Sequence, residues 1–162
     1  MTDELRLRVG QGFDVHPWSD DPHRALVLGG VRFDGQRGLA GHSDADVVAH
    51  ACTDALLGAS GLGDIGALFP DTDERWRGAD SVDLLAEAAR QVRRAGWRPA
   101  NLDCTVVLDA PKLAPHRDAM QERLSAAVEA PVTVKGKRTE GVGSLGRGEG
   151  VVCHAVALVV RP

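Results

Sequence analysis

The chain has 162 residues, 43% of them hydrophobic, and a net charge of −4 with both signs scattered along it. That length suits one domain with a core of its own, and the dispersed charge excludes the concentrated basic patch of a nucleic-acid binder. No apolar run approaches the ~20 residues of a membrane span, and "MTDELRLRVG" lacks the apolar centre of a signal peptide. In chain order, "LRLRVGQGFDV", residues 5 to 15, alternates and predicts a strand. "ALVLGGVRF", 25 to 33, predicts a hairpin around Gly29-Gly30. Val47, Val48, Ala51, Ala55 and Leu56 recur at helical spacing, predicting a helix from Ser43 to about Gly58, with Ser43 and Asp46 as its capping box. A second helix is predicted from Ser81 to Ala95, stopped by Gly96. A strand over 101–110, a helix from Pro115 to about Val128, an alternating segment over 131–139 and a β-branched strand over 150–160 complete the chain. The order predicts an α/β (α+β) two-layer domain spanning residues 1–162.

Cys52, Cys104 and Cys153 are widely spaced and lie in apolar contexts, which fits buried thiols and a cytoplasmic location. Three Trp, three Phe and no Tyr leave little for base stacking.

Three stretches carry candidate chemistry. "GFDVH" puts Asp14 and His16 two apart, on one face of a strand. A carboxylate and an imidazole there make two of the three protein ligands of a catalytic zinc. The third is His50, read as two turns into the helix, or His42 in the loop before it. A strand Asp-x-His also arises with no metal, and Asp14 alone can make an Asx turn. Asp44 and Asp46 read as first-turn acids favoured by the helix dipole, with Asp46 and Asp54 as possible partners of a ligand histidine's other N–H. "GLGDIGALFPDTD", 61 to 73, reads as an ordered loop whose Ile65, Leu68 and Phe69 suggest a lid, or as a helix cap at Gly61 followed by a turn. "KGKRTEGVGSLGRGEG", 135 to 150, reads as a phosphate cradle of glycine N–H groups and cations, or as a flexible hairpin. Lys112 in "APKLAP" adds a second anion contact, and Glu140 suits a hard divalent cation on a phosphate.

"GFDVH", "GHSDADVVAHACTDALLGASGLGDIGALFPDTD", "APK" and "GRGEG", in this order and spacing, resemble the 2-C-methyl-D-erythritol 2,4-cyclodiphosphate synthase family from about residue 8 to 160. The resemblance implies a mixed four-stranded sheet with helices on one face plus a small hairpin, assembled as a homotrimer with active sites between subunits. It implies cyclisation of 4-diphosphocytidyl-2-C-methyl-D-erythritol 2-phosphate with release of CMP, in non-mevalonate isoprenoid precursor biosynthesis. By position, it makes Asp14, His16 and His50 zinc ligands and Glu140 the holder of a magnesium or manganese ion. His42, Arg138 and Glu140 fall at catalytic positions. Val15, His42 and Ser43 fall at substrate contacts, with the zinc ligands beside them. Asp64, Ile65 and Gly66, then Phe69, Pro70, Asp71, Thr72 and Asp73, match a flexible substrate loop. Leu108, Asp109, Ala110 and Pro111, then Lys112, Leu113 and Ala114, match the cytidine pocket. Lys137, Thr139, Ser144 and Arg147 complete the phosphate side. The chain departs from the family at Gly136-Lys137-Arg138-Thr139-Glu140, where the family reads Ala-Thr-Thr-Thr-Glu: Arg138 replaces a threonine thought to assist at the α-phosphate. Ser144 stands where a bulkier residue is usual. A displacement within one substrate needs positioning and charge neutralisation rather than a Ser or Cys nucleophile. The alternatives are a metal-dependent phosphohydrolase and a non-catalytic phosphate-ligand binding trimer.

Overall fold

The structure is a computed structural model and describes residues 6–161. Strand β1 runs Arg6–Pro17, and β2 (Leu26–Leu28) and β3 (Val31–Phe33) form the hairpin. Its turn is Gly29-Gly30, both at positive φ (58° and 73°), as a tight hairpin turn requires. Helix α1 spans Val47–Ser60 and closes on Gly61 in the left-handed conformation. One-turn α2 (Ile65–Leu68) and a 3-10 turn over Glu74–Trp76 occupy the segment read as a loop. Helix α3 spans Ser81–Arg94, β4 spans Arg98–Val107, α4 spans Arg117–Val128 and β5 spans Val132–Lys137. One-turn α5 (Gly143–Gly146) precedes β6 (Gly150–Arg161).

The start of α1 corrects the sequence reading. Asp46, not Ser43, caps the helix, because the Ser43 hydroxyl is engaged with His50 and Ser81, and Ala45 turns through a positive φ of 59°. The fully buried Asp46 carboxylate accepts from four backbone N–H groups: Val48 (3.0 Å) and Ala49 (3.2 Å) in α1, and Gly29 (2.8 Å) and Gly30 (2.6 Å) in the hairpin turn. It therefore ties the hairpin to the front of α1. Burial and the charge of Asp44 push its carboxyl up to about 6, while those donors pull it back.

The main sheet has the order β1-β6-β4-β5, with β4 and β5 parallel and the other pairs antiparallel. Helices cover one face. Helix α1 is buried nearly all round, since it lies between the sheet and α3. Its approach to β1 depends on two glycines: a Cβ on Gly10 would lie 2.1 Å from the Ala55 carbonyl oxygen, and one on Gly12 would lie 1.9 Å from that of Ala51. Cys52, Cys104 and Cys153 are free and buried in this layer, as expected. Among the described residues no helix is long and apolar enough to cross a membrane.

Strand parity sorts β1. Gly10, Gly12, Asp14 and His16 share the helix side, whereas Leu7, Val9, Phe13 and Val15 fall on the other. On that bare face Leu7 is 57% and Val9 68% exposed, beside exposed Val156 of β6. Phe13 meets His154 edge-on, with ring centroids 5.0 Å apart.

Candidate metal centre and nucleotide cleft

Because Gly10 and Gly12 let α1 settle onto β1, the next two same-side residues, Asp14 and His16, meet the front of that helix. His50 lies in its first turn, not two turns in, and it, of the two candidate histidines, joins Asp14 and His16. Asp14 Oδ2 lies 3.0 Å from His16 Nε2 and 3.1 Å from His50 Nδ1, and the two nitrogens are 3.1 Å apart. Among the described residues this is the group of three or more His, Cys, Asp or Glu side chains placed to share a metal ion. The donors form a near-equilateral triangle. Three ligands about 2 Å from a tetrahedral ion would stand about 3.3 Å apart, so a small outward adjustment of each would let the three share one divalent ion.

Hydrogen bonding aims the donors. His16 Nδ1 lies 2.7 Å from the Ala40 carbonyl oxygen, which only accepts, so Nδ1 carries a proton and Nε2 is the nitrogen aimed at the triangle. Gly41 leaves room for that ring, since a Cβ there would sit 3.0 Å from His16 Cε1. His50 Nε2 is 3.0 Å from Ser43 Oγ and 2.9 Å from Ser81 Oγ. Burial opposes the charge on Asp14, but hydrogen bonds and charge from His16 and His50 hold its carboxyl well below the usual range. Burial also opposes a charged His16, and the Asp14 carboxylate outweighs it, raising the imidazole. A place that draws a proton this strongly suits a cation.

The triangle opens into a cavity of about 420 Å³. Of the predicted contacts, His42, Ser43, Ile65, Gly66, Phe69 and Asp71 line it; Trp76 and Leu84 also line it and were missed. His42 Nε2 and Trp76 Nε1 are buried there without a hydrogen-bond partner. Asp64, Pro70, Thr72 and Asp73 shape the segment without lining the cavity: Asp64 caps α2 through the Ala67 N–H (2.8 Å) and Asp73 caps the 3-10 turn. Asp54 receives the Ile65 N–H (2.7 Å), anchoring α2 to α1, so it is no partner of a ligand histidine. Nor is Asp46, which is spent on backbone.

A second cavity, of about 290 Å³, sits at the ends of β4 and β5. Leu108, Asp109, Pro111, Lys112, Leu113 and Ala114 line it with Lys137, Arg138 and the unpredicted Arg117. Arg138 is 78% exposed and reaches Asp109 only at 3.8 Å. Asp109 accepts the Thr139 N–H (3.0 Å) and hydroxyl, which holds the turn leading to exposed Glu140. The stretch read as cradle or hairpin thus splits into a strand end, this turn and α5. Arg147 pairs with Glu149 at 2.7 Å, while Val15 and Ser144 flank a third, smaller cavity with His16. Ala110 lies in the 108–114 turn but does not line the cleft.

Both cavities lie at one end of the sheet, because β1 14–17, β6 150–153 and β4 106–107 are in register. They occupy opposite edges, three strand spacings or about 14 Å apart. The two cavities share no lining residue.

Comparison with known proteins finds relatives over nearly the whole chain. The model of the YgbB family matches residues 7–160. The 2-C-methyl-D-erythritol 2,4-cyclodiphosphate synthase of Burkholderia mallei (strain SAVP1) is 54% identical over 160 residues, covering 97% of this chain and 98% of that protein. The bifunctional IspDF from Campylobacter jejuni superposes with a TM-score of 0.92 at 39% identity over 98% of this chain, which spans 43% of that one. The Plasmodium falciparum IspF in its CDP complex superposes with a TM-score of 0.82 at 30% identity, covering 96% of each chain. With similarity of this extent over nearly its whole length, the chain belongs to the YgbB family of 2-C-methyl-D-erythritol 2,4-cyclodiphosphate synthases.

Proposed function

We infer that the chain cyclises 4-diphosphocytidyl-2-C-methyl-D-erythritol 2-phosphate to 2-C-methyl-D-erythritol 2,4-cyclodiphosphate and releases CMP. The observation that carries this reading is the Asp14–His16–His50 triangle opening into a cavity, within a chain 54% identical to a synthase of that name. A divalent ion held by the triangle, zinc by its donor set, supplies Lewis-acid neutralisation of a phosphate oxygen.

The chain's own residues do the rest. His42 Nε2 and the Trp76 indole N–H, both unpartnered at the cavity, are set to bond phosphate oxygens. The segment from Asp64 to Asp73, pinned at Asp54, shields the reacting groups from water, so an internal phosphate oxygen and not a hydroxide attacks the β-phosphorus. Lys112, Lys137 and Arg138 offer positive charge to the departing CMP, and the apolar floor of Leu108 and Leu113 takes the base. Arg138 takes over charge stabilisation where relatives carry a threonine. Glu140, exposed beyond the Asp109–Thr139 clasp, is the carboxylate for magnesium or manganese.

One substrate molecule must touch both cavities, and one chain holds them on opposite sheet edges. The site is therefore completed between copies. The bare apolar side of β1 and β6 is the surface they share, in a cyclic homotrimer working in the cytoplasm. Incubation with substrate and Mg²⁺ tests the activity by phosphorus NMR: a cyclic diphosphate plus CMP is expected, and a linear diphosphate would instead reveal a phosphohydrolase.

A further inference from the structure

Asp44 and Ser81, 37 residues apart, meet beside the metal triangle, and their hydrogen bonds run in one direction only. Asp44 Oδ1 accepts the Asp46 N–H (3.1 Å) and Oδ2 accepts the Ser81 N–H (3.2 Å). An acceptor at both oxygens, the carboxylate also accepts the hydrogen bond that the Ser81 hydroxyl donates to Oδ1. A hydroxyl has one proton, so Ser81 Oγ can then only accept. The groups in reach are His50 Nε2 at 2.9 Å and Ser43 Oγ at 3.1 Å. In the neutral imidazole His50 Nε2 therefore carries the proton, and Nδ1, facing Asp14 Oδ2 and His16 Nε2, is the nitrogen left for a metal.

We propose that Asp44 and Ser81 are positioning residues, a proton-ordered relay that locks His50 in the tautomer presenting Nδ1 to the metal. The inference rests on the metal-centre reading above and deepens it. Burial keeps the order from being scrambled by water: Ser81 is fully buried, His50 is 8% exposed and Ser43 is 7% exposed. Placement supports it too. Ser81 is the first residue of α3, where the helix dipole favours the Asp44 carboxylate, and Asp44 precedes the cap of α1 by two residues. The relay thus fixes the ring and clamps two helix starts together. Partners that hold a ligand histidine's second nitrogen are typically worth about 10–100-fold in metal affinity.

The test measures zinc affinity by chelator competition in the full chain, with imidazole ¹⁵N NMR of the zinc-loaded protein. Ser81→Ala and Asp44→Asn should each weaken zinc binding by about 10–100-fold, and Ser81→Thr, which keeps the hydroxyl, should stay near wild type. Wild type should show a protected proton on His50 Nε2 and zinc on Nδ1, and that proton should lose its protection in Ser81→Ala. Folded Ser81→Ala with unchanged affinity and an unchanged Nε2–H signal overturns the relay. Should the variants not fold, the wild-type spectrum alone decides, because a His50 bearing its proton on Nδ1 contradicts the proposal. Wild type that binds no zinc defeats the metal reading itself, a different result from zinc bound equally by all variants.

Discussion

The two halves of the site are built by opposite means. At the metal triangle both imidazoles are fixed from behind: His16 by the Ala40 carbonyl, His50 by Ser43 and Ser81. Its backbone frame is held as firmly, by the glycine contact of β1 with α1 and by the four N–H groups on Asp46. The nucleotide cleft rests on two buried leucines and is rimmed by long exposed cations, of which Arg138 touches its nearest acid only loosely. Preorganised donors act on developing charge without reorganising, whereas solvated cations must be ordered when the ligand arrives. The first half tolerates little change and the second a good deal. The departure from the pattern that the sequence resemblance implies, at Lys137 and Arg138, falls in the second half.

The largest expected effect comes from breaking the rigid half. His50→Ala removes one of three metal donors and should cost about 10³-fold or more in kcat, with metal content falling in step by elemental analysis. CDP binding to the cleft should survive. Val9→Asp attacks the link between the halves. If copies meet on this bare apolar face, as proposed, a carboxylate buried there costs several kcal/mol, and sedimentation should report dissociated chains that still bind zinc but have lost turnover. Gly12→Ala strikes the frame: its new Cβ meets the Ala51 carbonyl at 1.9 Å, so α1 must lift from β1. A loss of about 3 kcal/mol in urea unfolding is expected, together with weaker zinc binding. Arg138→Thr, which puts in the residue that the sequence resemblance implies on the adaptable half, should change kcat/KM by less than about tenfold and leave zinc affinity untouched. An effect as large as that of His50→Ala would show that the cleft tolerates change no better than the metal centre does.

Much of this contrast was legible in the chain itself. The strands, the hairpin at Gly29-Gly30, the caps at Gly61 and Gly96 and the Asp14/His16 pair all follow from local periodicity and turn chemistry. "GQGFDVH" also carried an unread signal: glycines at the same parity as the two ligands announce a helix lying on that strand side. What stayed hidden depends on distance along the chain. The Asp44–Ser81 contact joins loop to helix across 37 residues, and the choice between His42 and His50 required the start of α1 to be known. The division of the site followed from the last strand inserting between β1 and β4, which no local pattern encodes.

The smallest expected effect lies in pH and concerns the rigid half without its metal. Asp14 is held below its ordinary 3.8 and His16 above its ordinary 6.5, largely by each other once burial is overcome. The signs are opposite. The Asp14 contribution is complete above 3.8 and fades as pH falls through its lowered folded value. The His16 contribution is complete below 6.5 and fades as pH rises through its raised value. Metal-free protein should therefore be most stable between those limits and lose about 1 kcal/mol or less on the alkaline side. Zinc reverses the alkaline trend, because it needs the His16 nitrogen that the proton vacates; its affinity should rise over the same interval. Urea titrations at several pH values, with and without zinc, check both slopes. A metal-free protein indifferent to pH from 6 to 9 would mean that Asp14 and His16 do not share a proton when the ion is gone, and that the triangle is less tightly held than the cleft it is compared with.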